Sequence, residues 1–358
     1  MKEKITIIID GFTKGGAQKV LLSLIPVWQK KGISIQLVIL QNSIPELPLA
    51  HLMASNVEIL RIDARKISDF KGFLRFYQEV SKFSPDTIQC HLYWSQLWGS
   101  IFRLIKRNVR IVWVEHNTYF NRTLIQWNLY KILSRQTSEI IAVSSEVEDH
   151  LVKKGIRRTR VIPNPVSREF KCHNVVDRKN VFVFVGRLNK QKNPLLALDA
   201  FWIALSENLI PSDSHLVYAG EGILENEIRS RITGYGLDTK VTLLGFLSGL
   251  ELAKILNESK CLVSTSLHEG FPLARIEALA AGCTIVTTKT GGIAGVLTEG
   301  SKNNSLIRGV FVVAPNLFDL ANAYSFAVSD ELWPIEEIRY RAEKAKEYEP
   351  NNIANKYL

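Results

Sequence analysis

With 358 residues, 46% of them hydrophobic and 22% charged, the chain can bury a core in each of two ordinary domains. It carries no low-complexity tract and no repeat of solenoid period, which excludes a disordered chain and a repeat array. The net charge of +10 is unevenly placed, with 24 Lys/Arg against 13 Asp/Glu in residues 1–165 and 21 against 22 in residues 166–358.

The first half alternates short β-branched runs with amphipathic stretches. Strands are expected at 5–9, 33–40, 57–62, 87–91, 110–115, 139–143 and 160–162. Helices are expected at 17–31, 70–83, 95–106, 124–134 and 146–153. Apolar strands separated by helices imply parallel β-α-β units buried on both faces. The Pro163-Asn-Pro165 step and the polar stretch after it interrupt the pattern, because a residue before proline is pushed out of helix. The alternation then restarts. Strands are expected at 181–185, 214–219, 240–244, 261–264, 284–287 and 309–313, and helices at 194–207, 224–235, 250–258, 273–281 and 317–329. The tail, 335–358, reads as helical with a break at Pro350. The expected fold class is α/β, with two Rossmann-like domains.

The most specific stretch is Ser266-Leu-His-Glu-Gly-Phe-Pro-Leu-Ala-Arg-Ile-Glu-Ala-Leu-Ala-Ala-Gly-Cys283. Glu269 sits on a loop before a helix, and Glu277 about one turn inside it. Proline near the start is tolerated because its missing N–H has no intrahelical partner there. The free N–H groups of such a helix start suit an anion. Two carboxylates flanking it can read sugar hydroxyls on both sides of a nucleotide-sugar diphosphate.

Three further motifs lie where strands end. Asp10-Gly-Phe-Thr-Lys-Gly-Gly-Ala-Gln-Lys19 joins the first strand to the first helix, and Gly15 and Gly16 allow close backbone approach. It lacks the dinucleotide and Walker spacings, so neither ligand is indicated. Phe184-Val-Gly-Arg-Leu-Asn-Lys-Gln-Lys-Asn193 offers the planar fork of Arg187 and a lysine for phosphate oxygens, with Lys190 competing with Lys192. Val112-Trp-Val-Glu-His-Asn-Thr118 places His116 at a strand end, where ligands gather in open α/β folds. Glu115 could orient that histidine or simply be buried and paired.

At these residues the chain resembles the retaining glycosyltransferases of family 4, which have the GT-B fold. Glu269 and Glu277 match the family's Glu-x7-Glu, and Glu-Gly-Phe-Pro with Glu-Ala-Leu-Ala-Ala-Gly make the match specific. The resemblance implies two domains facing a central cleft: an acceptor-binding one at 1–165, joined by a terminal helix at about 350–358, and a donor-binding one at 166–349. It implies that Arg187 and Lys192 hold the donor's phosphates, that Glu269 faces the reacting centre, that Glu277 binds the ribose, and that His116 lies near the donor sugar. Gly15 and Gly16 would approach the diphosphate. Leu247, in the Leu243–Leu247 segment, would lie by the base, and Phe271, Pro272 and Leu273 would line the donor site. The turns at Ala219-Gly-Glu-Gly222 and Gly291-Gly292 also match the family.

Three departures stand out. Asn193 replaces a usual glycine but tolerates left-handed backbone. Arg275 stands where an aliphatic residue is common and would reach the acceptor, the diphosphate or only solvent. Gly295 replaces a frequent glutamate.

No Asp-x-Asp occurs, so neither a metal nor another cofactor is expected. Cys90, Cys172, Cys261 and Cys283 form no Cys-x-x-Cys pair, which favours a reducing cytoplasm. No apolar run reaches about 18 residues, the length a membrane span needs. The basic first half would meet an anionic partner. Expected partners are a nucleotide sugar, a glycan or lipid-linked glycan acceptor and an anionic membrane surface, with a peripheral place on the inner face of the cytoplasmic membrane. The segment 97–110 is a candidate for that surface, its alternative being a buried helix with a basic end. No nucleic-acid module is present. The activity implied is transfer of a hexose or N-acetylhexosamine in surface polysaccharide, lipopolysaccharide or glycan synthesis. The alternatives are a soluble acceptor, or a non-catalytic nucleotide-sugar-binding partner in a synthase complex.

Overall fold

The computed structural model describes residues 3–13, 15–41, 52, 57–66, 68–117, 122–290, 292, 297–298 and 306–358. The chain divides into two compact units, Met1–Pro165 with Pro350–Leu358, and Val166–Glu349.

Among the described residues the first unit has seven strands: β1 (Lys4–Ile9), β2 (Ser34–Gln41), β3 (Glu58–Ala64), β4 (Thr87–His91), β5 (Arg110–Glu115), β6 (Glu139–Ala142) and β7 (Thr159–Val161). They lie in the order β3-β2-β1-β4-β5-β6-β7, and every pairing is parallel. The central strands are buried from end to end, as in Ile5 to Ile9, so they read as apolar runs rather than alternating ones. The chain winds from β1 out to β3, then returns to place β4 on the other side of β1. That reversal makes the β1/β4 carboxyl edge the place where an open sheet offers a ligand site.

The terminal helix Pro350–Ala354 and the turn after it belong to this unit. Trp28 Nε1 donates to the Ala354 carbonyl at 3.0 Å, and Gln89 Nε2 to the Tyr357 carbonyl at 3.1 Å. The Tyr357 ring is fully buried.

The second unit has six parallel strands among its described residues: β8 (Lys179–Val185), β9 (His215–Ala219), β10 (Val241–Leu243), β11 (Ser259–Ser264), β12 (Thr284–Thr288) and β13 (Val310–Val313). Their order is β10-β9-β8-β11-β12-β13, so the winding reverses between β8 and β11. One face buries Phe182, Phe184, Phe201, Tyr218 and Tyr324 as a core.

The tail departs from one broken helix. The helix Ile335–Lys344 ends before a 3-10 turn at Lys346–Tyr348, and Pro350 begins the next helix rather than breaking one. Its fixed φ suits a first helical position.

Candidate active site

In the second unit the motif residues collect along the carboxyl edge at the β8/β11 reversal. Arg187 and Lys192 follow β8 and Glu269 follows β11, two strands paired in register Val263 to Phe184. The Lys192 ammonium is ion-paired with the Glu269 carboxylate, which also accepts from the Ser266 hydroxyl at 2.7 Å. Their loops are tied together: Leu267 N donates to the Gln191 carbonyl at 2.8 Å, and Gln191 Nε2 donates to the His268 carbonyl at 2.9 Å. Of the two competing lysines, Lys192 is the one built into this cluster, while Lys190 is exposed. Arg187 is exposed, and Glu269 is only 9% exposed.

The Arg187 loop rests on backbone. Gly186 N donates to the Ala219 carbonyl at 3.0 Å, and Leu188 N to the Glu221 carbonyl at 2.9 Å. The approach is so close that a Cβ added at Gly220, where φ is +155°, would lie 1.9 Å from the Gly186 carbonyl oxygen. Only glycine fits there. The Glu221 carboxylate in turn accepts from Phe246 N at 3.2 Å, next to the half-buried Leu247.

Phe271 and Pro272 are buried ahead of the helix Leu273–Ala280, whose N-terminus has no side-chain cap. Leu273 is half-buried and Glu277 is buried on that helix. Asn193 has φ +50°, the left-handed geometry that glycine would supply, and is followed by Pro194 at the first turn of the next helix.

Arg275 corrects an expectation. It is fully buried, so the solvent reading fails. Its Nε lies 3.4 Å from the Ser264 hydroxyl, and Nη2 donates to Thr290 Oγ1. The guanidinium thus links the glutamate helix to the end of β11 and to the segment after β12. Gly291 and Gly295 lie outside the described residues.

In the first unit Gly15 caps the helix Gly16–Lys30 with extended backbone and no side-chain hydrogen bond. Gly15 is half-buried and Gly16 exposed. Asp10, at the end of β1, accepts from Ser95 N at 2.8 Å and Trp94 N at 3.1 Å, capping the helix Tyr93–Ile105. Burial raises its carboxyl to about 6, against the lowering effect of those backbone bonds.

His116 stands just past β5. Its Nε2 lies 3.0 Å from Nδ1 of His91, the last residue of β4, and the rings stack. Burial lowers His116 to about 4, and burial with the neighbouring ring lowers His91 well below the usual histidine range. Both imidazoles are therefore neutral at pH 7. His116 can donate or accept a hydrogen bond but is a poor base. One ring donates to the other, so the remaining nitrogens, His91 Nε2 and His116 Nδ1, comprise one N–H and one lone pair without a hydrogen-bond partner among the described residues. Glu115 does not serve as the orienting group. Its Oε2 accepts from Tyr130 at 3.1 Å and pairs with Arg122 at 3.3 Å. The sequence reading missed His91 in this role. Its only sequence signal was that it ends the strand preceding the one that leads to His116.

Among the described residues no group of three or more His, Cys, Asp or Glu side chains could hold a metal ion. None of their helices is long and apolar enough to cross a membrane. All four cysteines are free thiols.

The sequence profile of glycosyl transferases group 1 matches residues 166–348, just over half of the 358 residues and the whole of the edge just described. The chain belongs to this family. A second profile, Glycosyltransferase Family 4, matches residues 14–170. The chain is 28% identical over 268 residues to UDP-Gal:alpha-D-GlcNAc-diphosphoundecaprenol alpha-1,3-galactosyltransferase of Escherichia coli, covering 68% of this chain and 66% of that protein. It is 23% identical over 363 residues to GalNAc-alpha-(1->4)-GalNAc-alpha-(1->3)-diNAcBac-PP-undecaprenol alpha-1,4-N-acetyl-D-galactosaminyltransferase of Campylobacter jejuni, covering 99% of this chain and 97% of that protein. Among solved structures, Anabaena Alr3699/HepE in complex with UDP and glucose superposes with a TM-score of 0.79 at 17% identity, covering 99% of this chain and 98% of that one. This family member is a glycosyltransferase with the GT-B fold.

Proposed function

We propose that this glycosyltransferase moves a hexose or N-acetylhexosamine from a UDP-linked donor to a lipid-diphosphate-linked glycan, retaining the anomeric configuration. The observation that carries the reading is the Lys192–Glu269 pair at the β8/β11 reversal, with Lys192 on the segment after β8 that also carries Arg187, and Glu269 ahead of the Glu277 helix. Arg187 and Lys192 would neutralise the departing diphosphate without a metal or other cofactor. A donor aimed at developing charge contributes about 10²–10³ in rate. Glu269, fixed by Lys192 and Ser266, would hold a donor-sugar hydroxyl, and Glu277 would hold the ribose. Gly15 and Gly16 would admit the diphosphate to the helix start, and neutral His116 would bond the sugar. Leu247 would lie by the base, with Phe271, Pro272 and Leu273 lining the donor site. The acceptor hydroxyl would attack on the face the leaving phosphate vacates, and that phosphate would take its proton.

Two undecaprenyl-diphosphate-linked glycan transferases among the relatives support a lipid-linked acceptor. The charge of the first half supports an acceptor role for that unit and contact with an anionic membrane from the cytoplasmic side. Incubation of the protein with UDP-sugars and a lipid-diphosphate-linked N-acetylhexosamine, followed by NMR of the product, tests the reading. An α-linked product from an α-linked donor is expected. An inverted product, or transfer only to a water-soluble sugar, would contradict it.

A further inference from the structure

The helix Leu124–Leu133 has apolar residues around its whole circumference, its only polar members being Gln126, Asn128 and Lys131. A helix of that kind is ordinarily buried on every side. Here one side is. Tyr130 and Leu133 are buried, with the Tyr130 ring 4.6 Å from Trp113 of β5. Trp127 packs edge-on to Tyr130, and Arg122 is held between the Tyr93, Trp127 and Tyr130 rings while pairing with Glu115. A capping box between Thr123 and Gln126 fixes the first turn.

The other side lies open. Leu124 and Ile125 are 84% and 80% exposed, and Ile132 is 58% exposed, with Leu129 between them on the same stripe. The spacing 125, 129, 132 is one helical face. The helix Ser145–Lys153 reaches this helix on the flank away from the stripe, through the Trp127–His150 ring contact and the Lys154 ammonium over Trp127. That flank carries cations: Lys131 and Lys154 are exposed there, and Arg135, Lys153 and Arg157, on the neighbouring turns and loops, are exposed as well. The acidic groups nearby are Glu146, Glu148 and Asp149, on the preceding turns of the Ser145–Lys153 helix.

The segment 97–110 is divided: its helix ends at Ile105 and buries Leu97, Trp98 and Phe102, while Ile101, Leu104 and Ile105 are exposed beside the exposed Lys106 and Arg107. Arg110 lies on β5 and pairs with Glu139.

We propose that the exposed stripe of Leu124–Leu133, with the exposed lysines and arginines at its flank, is the surface on which the protein docks to an anionic lipid bilayer. An amphipathic patch binds such a surface by burying apolar side chains at the headgroup boundary while cations meet the lipid phosphates. Bulk apolar surface of this kind with cations at its flank suits lipid better than a soluble glycan. The helix begins a few residues beyond His116, so docking would hold a membrane-borne acceptor near that end of the sheet. The inference deepens the proposed use of a lipid-linked acceptor and rests on it.

The test is co-sedimentation of the full chain with vesicles of phosphatidylcholine, with and without phosphatidylglycerol. The wild type is expected to pellet with the anionic vesicles and to stay in solution with the neutral ones. Ile125→Ser with Ile132→Ser should weaken anionic-vesicle binding about tenfold or more. Because both positions are exposed, the circular dichroism melt and slow donor hydrolysis should match the wild type. A matching double change on another exposed apolar pair, Phe70→Ser with Leu74→Ser, should leave vesicle binding intact. Failure of the wild type to bind anionic vesicles would overturn the inference, as would a double variant that binds equally well. So would self-association without lipid that the double variant abolishes, since a second copy would then be the occupant. Loss of donor hydrolysis in every protein, wild type included, would instead count against the proposed transferase reaction.

Discussion

At the scale of single residues, the stacked pair His91–His116 shows why the site could be only half read from sequence. His116 is visible as a polar residue closing an apolar strand, whereas its partner is fixed by the parallel register of β4 with β5, which no local pattern encodes. Arg275 is a similar case, since its position in a helix says nothing of a burial created by the ends of two neighbouring strands. The histidine pair carries a pH signature. In the unfolded chain both imidazoles titrate near 6.5, but burial lowers His116 to about 4 and His91 well below its usual range. As pH falls through 6.5 toward 4, the unfolded chain takes up protons that the folded chain refuses, so stability falls. Asp10 works the other way. Its folded value of about 6 lies above 3.8, so protonation favours the folded chain as pH falls through 6. Two histidines outweigh one aspartate, and the melting temperature should decline between pH 6.5 and pH 4.5. His116→Gln should flatten that decline by about 2–3 kcal/mol of stability. Melts at the two pH values check this, and an unchanged slope in the variant would mean that the pair is not held neutral.

At the scale of elements, strands and helices were legible because their patterns are local. Buried parallel strands appear as β-branched runs, and amphipathic helices as 3.6-residue periodicity. What holds the glutamate helix in place was not legible. The side chain of Arg178 donates to the carbonyls of Leu256 at 3.3 Å and Ser259 at 3.0 Å, and to Ala281, just past the helix Leu273–Ala280. One buried guanidinium thus caps the C-terminal ends of two helices whose last carbonyls lack intrahelical partners. In sequence it is one more arginine in a polar stretch. Arg178→Met should cost about 3 kcal/mol or more, because several buried carbonyls lose a charged donor at once. Denaturant unfolding of the purified variant reads this directly, and a loss under about 1 kcal/mol would show that water satisfies those carbonyls.

At the scale of the whole molecule, charge and chemistry are divided between the two halves of the sequence. Residues 1–165 carry a balance of +11 from 24 basic and 13 acidic residues, while the rest is close to neutral. The Glu269–Glu277 motif and both phosphate-binding candidates, Arg187 and Lys192, lie in the second unit. The fold class was legible at this scale because two β-α alternations are separated by a proline-rich break. The outward face of Leu124–Leu133 was not, since sequence shows an apolar helix but not which side the protein covers. The central claim is that Glu269, held by Lys192 and Ser266, serves the transfer of a nucleotide-linked sugar. The most direct measurement is nucleotide release from a panel of UDP- and GDP-sugars by the wild type and by Glu269→Ala. Slow release from a UDP-sugar, reduced about 10²-fold or more in the variant while nucleotide binding persists, is the predicted result. Equal turnover in the two proteins, or no nucleotide binding by the wild type, would contradict it.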